Sequence, residues 1–173
     1  GSLVVVRFGG RMALLNFPKT PQQRIDGIRF KCSCCQSWKS GLMDLTKVLP
    51  DPLVVVPEEE RPTRAKISDD LCSLDGEHFF VRSVLYLPIL KTQSSFGFGV
   101  WGSLAEKNFR IYVDEYDNPA PEFGPFFSWL CSTLPPYGMT GGLEAELVFQ
   151  PNNQRPLMHL HESDHPLAIA QRE

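Results

Sequence analysis

The chain has 173 residues, 42% of them hydrophobic and 21% charged, and carries a net charge of −3. That balance excludes wholesale disorder, supplies enough apolar side chain for a core without disulfide staples, and argues against a domain whose task is to neutralise phosphate. Fifteen prolines and five cysteines are the compositional outliers, and no apolar run approaches the ~20 residues of a membrane-spanning helix.

In chain order, Gly1-Ser2 reads as a tag remnant. Residues 3–17 read as an apolar extension broken by Arg7, Gly9, Gly10 and Arg11, with no small-residue cleavage site of the secretory kind. Pro18, Pro21, Gln22, Gln23, Asp26 and Gly27 read as a linker. Residues 1–27 are therefore expected to be a poorly structured extension, and residues 28–173 one domain. Ile28–Cys32 predicts a short strand entering the cluster Cys32, Cys34 and Cys35. Leu53–Val56 reads as a strand or a helix lead-in. Pro57 followed by Glu58, Glu59 and Glu60 predicts a helix start, which Pro62 stops or kinks.

The clearest β signal begins at Leu71. Leu71–Leu74, Asp75-Gly76 and His78–Leu87 predict a hairpin, since Asp-Gly suits a turn with two left-handed residues. On its second arm Phe79, Val81, Ser83, Leu85 and Leu87 share one face, and Phe80, Arg82, Val84 and Tyr86 the other. Both faces are largely apolar, which predicts a central strand covered on both sides. Phe96–Trp101 predicts its antiparallel neighbour, with glycines that allow close packing. Ser103-Leu104-Ala105-Glu106 matches a capping box, opening a helix with Phe109, Tyr112, Val113 and Tyr116 on one side and ending at Asp117-Asn118-Pro119. A second helix is predicted from Pro125, carrying Phe126, Phe127, Trp129, Leu130 and Leu134. Leu143–Phe149 and Leu157–Glu162 read as strands, and Pro166–Arg172 as a terminal helix capped by Ser163 or Asp164. Strands and helices are mixed rather than alternating. The fold class expected is α+β: a mainly antiparallel sheet with a few packed helices and long proline-rich loops.

Several stretches resemble one bacterial family, known only as domain of unknown function 2199. They are Phe30-x-Cys32-x-x-Cys35, Pro57–Arg61, Asp70-Leu71-Cys72, Asp75–Arg82, Gly99-Val100-Trp101-x-Ser103-Leu104, Gly124–Phe127 with Trp129-Leu130, Arg155-Pro156-Leu157 and Asp164–Ala168. Together they cover residues 30–172 in order. The family tends to follow its CxxC with Gly and then His, where this chain has Gln36-Ser37-Trp38-Lys39. The resemblance implies kinship and no activity, because the family is itself uncharacterised.

Cys32-x-x-Cys35 has the spacing of a zinc knuckle, two thiolates from one turn, which is half of a tetrahedral site. Candidate further donors are Cys72, Cys131, His78, His159, His161 and His165, with His165 set beside Cys32 and Cys35 as the metal-site expectation. The alternative for the two cysteines is a buried hydrophobe or a redox pair. His161-Glu162-Ser163-Asp164-His165 matches HExxH by letter, but Ser163, Asp164 and Pro166 oppose the helix which that chemistry requires. Arg82 reads either as a paired residue or as an anion site. The function expected is a non-catalytic binding or interaction protein of the bacterial cytoplasm, with zinc at the CxxC as a structural option. Its partner would be a protein or small ligand rather than nucleic acid or membrane. The alternative is a metal- or thiol-dependent hydrolase using the Cys32–Cys35 cluster or the C-terminal histidines.

Overall fold

The structure, a computed structural model, describes residues 2–8, 11–32, 35–116, 124–152 and 154–173, with side chains from residue 18 onward. It divides into two compact units, one of Gly1–Met43 with Ile89–Ser94, the other of Asp44–Pro88 with Ser95–Glu173.

In the first unit β1 (Ser2–Phe8) and β2 (Arg11–Phe17) form an antiparallel hairpin. Helix α1 (Pro21–Asp26) lies where the sequence reads as a linker. Its proline is an opener rather than a breaker: Pro21 fills the first turn behind a capping box. In that box the Gln23 N–H donates to Thr20 Oγ1 at 3.2 Å and the Thr20 N–H donates to Gln23 Oε1 at 3.0 Å. A small antiparallel hairpin of β3 (Arg29–Lys31) and β4 (Trp38–Ser40) follows. None of the described side chains of this unit is buried.

The second unit runs β5 (Leu45–Thr46), α2 (Asp51–Val54), α3 (Arg61–Arg64), β6 (Ala65–Ile67), β7 (Leu71–Leu74), β8 (His78–Pro88), β9 (Ser95–Leu104), α4 (Glu106–Asp114), β10 (Phe126–Leu130), β11 (Glu144–Val148), β12 (Leu157–Leu160) and α5 (Pro166–Arg172). The β7–β8 hairpin turns at Asp75 (φ 54°) and Gly76 (φ 71°), as the Asp-Gly pair predicts. Arg64 clamps that turn from outside, its Nε and Nη2 donating to the two Asp75 carboxylate oxygens at 2.9 and 2.7 Å.

Here the α+β expectation fails. Strands β8, β9, β10, β11 and β12 pair antiparallel in succession, and β12 then pairs with β8 through Leu157 and Val84, which closes a five-stranded barrel. With an odd number of up-and-down strands the first and last run the same way, so the closing pair has to be parallel, and it is. Strand β5 adds to β9, and β7 and β6 to the edge of β8. The chief cause of the misreading is residues 125–134, expected as a helix. There Phe126, Ser128 and Leu130 turn inward while Phe127 and Trp129 stay exposed, a period of two that builds a strand from aromatic residues of high β propensity. Helix α4 starts later than the Ser103 box predicts, at Glu106, because Ser103 is still the penultimate residue of β9. Of segment Leu53–Val56, Leu53 and Val54 end α2 and Val55 is its C-cap.

A barrel of five strands has a narrow interior, so large side chains alternate with small ones. Leu85, Val100, Leu130, Leu147 and Met158 fill it, with Ser83, Ser128 and Ala145 as the small partners. Gly102 leaves the gap into which Ser128 and Met158 reach. Helix α4 packs Phe109 on Phe79 with ring centroids 5.0 Å apart, and Tyr112 on Phe149 at 4.7 Å. A second buried cluster of Leu53, Val56, Cys72, Leu74, Phe80 and Trp101 covers the other face of β8 and β9, the two-sided burial expected for that strand. Gly97 and Gly99 admit the 44–46 segment: a Cβ at Gly97 would lie 2.6 Å from the Asp44 carboxylate, and one at Gly99 2.8 Å from Thr46 Oγ1.

Candidate functional site

The residues predicted to carry chemistry are distributed over the two units. Cys32 and Cys35 occupy the β3–β4 turn, and Cys34 lies outside the described residues. That turn is closed by the Cys32 N–H donating to Ser37 O and the Gln36 N–H donating to Cys32 O, both at 2.9 Å. Gln36 adopts φ 59°, a left-handed conformation that glycine enters without the steric cost a side chain brings. Cys35 is exposed, with its Sγ 2.8 Å from Ser37 Oγ.

His165 lies in the second unit as the N-cap of α5, its Nδ1 accepting from the Leu167 N–H at 3.1 Å and its Nε2 lying 3.2 Å from Met139 O. The cap is thus this imidazole rather than Ser163 or Asp164. Residues 161–165 are not helical, so the HExxH letters lack the geometry of a helical metal motif. Among the described residues no group of three or more His, Cys, Asp or Glu side chains converges as metal ligands would. Cys72 and Cys131 pack in or against the second core, and burial pushes both thiols up to about 11, which keeps them neutral and unreactive near neutral pH.

Arg82, the other candidate, is engaged by the protein itself. Its Nη2 donates to Lys47 O at 3.1 Å and to Val48 O at 2.8 Å, and its guanidinium carbon lies 4.8 Å from the centroid of the Trp101 ring. The Trp101 Nε1–H donates to the same Lys47 carbonyl at 3.2 Å. Burial, assisted by the nearby charge of Arg155, lowers the Arg82 pKa from its ordinary value. Arg82 therefore fastens the 47–48 segment to the sheet, and Arg155 pairs with Asp70 at 2.6 Å.

A different surface gathers aromatic and ionisable groups. The alternation that sends Ser128 and Leu130 inward leaves Phe127 and Trp129 on the outer wall of β10, 46% and 43% exposed. Their rings meet edge-on with centroids 5.2 Å apart. Register places Glu146 opposite Phe127 and Glu144 opposite Trp129 on β11, and His159 opposite Glu146 on β12. His161 follows, its N–H donating to Glu144 O at 2.8 Å, its Nδ1 3.5 Å from Glu144 Oε2, and its ring 5.7 Å from that of Phe127. Two clefts flank Trp129. One, of about 340 Å³, is lined by Glu77, His78, Ser103, Asn108 and Phe127 among others. The other, of about 330 Å³, is lined by Gly142, Glu144, His161 and Glu162 among others. The sequence marks His159 and His161 as candidate donors but does not reveal the aromatic pair beside them. The signal available was the inside-outside alternation of Phe126–Leu130.

Kinship is settled by a family model described as an uncharacterized protein conserved in bacteria, DUF2199, which matches residues 31–173. The chain belongs to this family. The match bears out the resemblance seen in the sequence, and it spans the CxxC turn, the DUF2199 barrel and the aromatic wall of β10. No curated protein and no solved structure matches the chain. Within the described residues no helix is long and apolar enough to cross a membrane.

Proposed function

We propose that this chain is a non-catalytic binding protein which takes a basic segment of a protein partner on the outer wall of β10. The observation that carries the reading is the exposed pair Phe127 and Trp129, set between two clefts whose described linings include Glu77, Glu144 and Glu162 and no Lys or Arg. An indole face attracts a guanidinium or ammonium, and flanking carboxylates supply charge-assisted hydrogen bonds. Trp is among the side chains enriched at the hot spots of protein interfaces. The net charge of −3 favours approach of a basic partner. The thiol state of Cys35, Cys72 and Cys131 suits the reducing bacterial cytoplasm. In this reading Cys32 and Cys35 hold a structural zinc ion.

The test is calorimetric titration with an arginine- and lysine-containing hexapeptide, against the same peptide with glutamate at its basic positions. Saturable, salt-sensitive binding of the basic peptide is expected, weakened ~30-fold by Trp129→Ala, the equivalent of a hot-spot loss of ~2 kcal/mol. Binding that ignores both the peptide's charge and Trp129→Ala would overturn the reading.

A further inference from the structure

A strand at the end of a sheet keeps one row of backbone groups without a neighbour, ready to pair with another chain. In the second unit β6 ends the sheet beyond β7, and no described strand pairs with its outer side. The Ser68 N–H donates to Leu71 O at 2.8 Å and the Asp75 N–H to Arg64 O at 2.7 Å. These bonds set the phase of the ladder. Arg64, Lys66 and Ser68 turn their backbone groups towards β7, while Ala65 and Ile67 turn theirs away. The Ala65 N–H is taken by Arg61 O. The Ala65 carbonyl and both backbone groups of Ile67 meet no partner among the described residues. Beside this edge lies a cleft of about 280 Å³ between the strands and α4, lined by Lys66, Ser68, Leu71, Ser73, Phe109 and Val113 among others. Val113 is exposed, and Leu71 and Phe109 are half-buried. Lys66 is the one charge in that described lining. It also borders a second cleft with Arg64 and Arg110. Both arginines have carboxylates at hand, Glu60 and Asp75 for Arg64 and Glu106 for Arg110, whereas Lys66 forms no ion pair among the described residues.

We propose that β6 takes an extended segment of a partner protein as a further strand, with a carboxylate opposite Lys66 and an apolar side chain two residues away in the cleft beside α4. Backbone bonds to Ile67 hold the segment, and the cleft and Lys66 choose its side chains, the division of labour of strand addition. Residues two apart in a strand share a face, and long side chains reach diagonal neighbours across a strand pair. A carboxylate directly opposite a lysine is favourable, and a second cation there is unfavourable. The same lysine argues against a second copy of this chain as the occupant. If β6 paired antiparallel with itself over all three residues, Lys66 would face its own counterpart. Lysine on an edge thus discourages indiscriminate pairing and admits a segment that brings the missing charge. This surface is independent of the wall of β10, and neither proposal needs the other.

The experiment is NMR titration of the full chain with an end-blocked seven-residue peptide in which threonine alternates with leucine, glutamate and leucine. That order presents the glutamate to Lys66 in either strand direction. Saturable binding is expected, with amide hydrogen exchange at Ile67 slowed as its N–H gains a backbone acceptor. Lys66→Glu should weaken the glutamate peptide roughly tenfold and transfer the preference to a peptide with lysine at that position. Ile67→Pro should abolish binding, because it removes a donor that the described fold leaves unused, and an edge strand tolerates proline there. Since that variant can disturb β6, the charge exchange at Lys66 decides independently. Binding that leaves Ile67 exchange unchanged, or that treats glutamate and lysine peptides alike, would overturn the proposal. So would a response confined to the Trp129 indole, which would assign the peptide to the wall of β10. A dimer with Ile67 protected before any peptide is added would overturn the partner and give the edge to a second copy.

Discussion

Gly102→Ala probes the closed barrel at its tightest point. A Cβ built on Gly102 lies 2.5 Å from Ser128 Oγ, 2.8 Å from Met158 Cε and 3.3 Å from Leu147 Cδ1. Those three atoms belong to β10, β12 and β11, so one added methyl presses on three other barrel strands at once. All three side chains are completely buried, and none can swing out to solvent. Overpacking of this kind costs ~1–3 kcal/mol. With two neighbours closer than real Cβ contacts allow, ~2–3 kcal/mol is expected, or a melting point lower by ~4–12 °C at this chain length. Urea unfolding followed by far-ultraviolet circular dichroism measures it. Ser128→Gly removes the closest obstacle, so the double variant should recover part of the loss, a coupling that a double-mutant cycle reads directly. Gly76→Ala provides a contrast, since its Cβ meets nothing within 4 Å and its cost comes from φ 71° alone. A Gly102→Ala protein within ~0.5 kcal/mol of the parent would refute the convergence of these strands on one interior.

Arg82→Lys should cost ~1–3 kcal/mol in the same assay, because an ammonium cannot both span the Lys47 and Val48 carbonyls and lie flat on Trp101. An unchanged midpoint would make that clamp dispensable. Towards a thiol reagent at pH 8, Cys35 should react at once, half-buried Cys131 more slowly, and Cys72 only as fast as the chain unfolds. Prompt labelling of Cys72 would contradict its burial. The same two thiols predict alkaline destabilisation. Folding raises their pKa from 9.0 to about 11, so their stabilising contribution is complete below pH 9 and is lost as pH rises towards 11. Cys72→Ala with Cys131→Ala should flatten the stability profile between those values. An identical slope in both proteins would assign the loss to other groups.

Much of the β structure was legible where one physical signal dominated. Asp75-Gly76 dictated a left-handed turn, and the alternation along His78–Leu87 and Leu143–Phe149 gave strands and faces. The sheet's closure was not legible, because it depends on a parallel pairing of Leu157 with Val84, residues far apart in sequence whose own patterns only say strand. Pro125 followed by a dense aromatic run supports a helix start and a strand equally well, and tertiary burial of Ser128 and Leu130 chose the strand. That one choice also hid the candidate site, since Phe127 and Trp129 form a common outer surface only in a strand. Read from spacing, Cys32 and Cys35 were found as a pair. His165 was conspicuous as a metal ligand, yet both its ring nitrogens lie within hydrogen-bond distance of the backbone of α5 and Met139.

The three tryptophans provide the most direct test of the binding surface, because their indole N–H groups are separately visible by nitrogen-15 NMR. Trp101 is sealed in the second core with its N–H donated to Lys47 O, Trp38 stands on the β3–β4 hairpin, and Trp129 lies on the β10 wall. Titration with the basic hexapeptide should shift the Trp129 indole resonance saturably and leave Trp101 in place, with Glu144→Gln weakening the response. A titration that leaves Trp129 unmoved, or that moves only Trp38, would contradict a basic partner on the wall of β10.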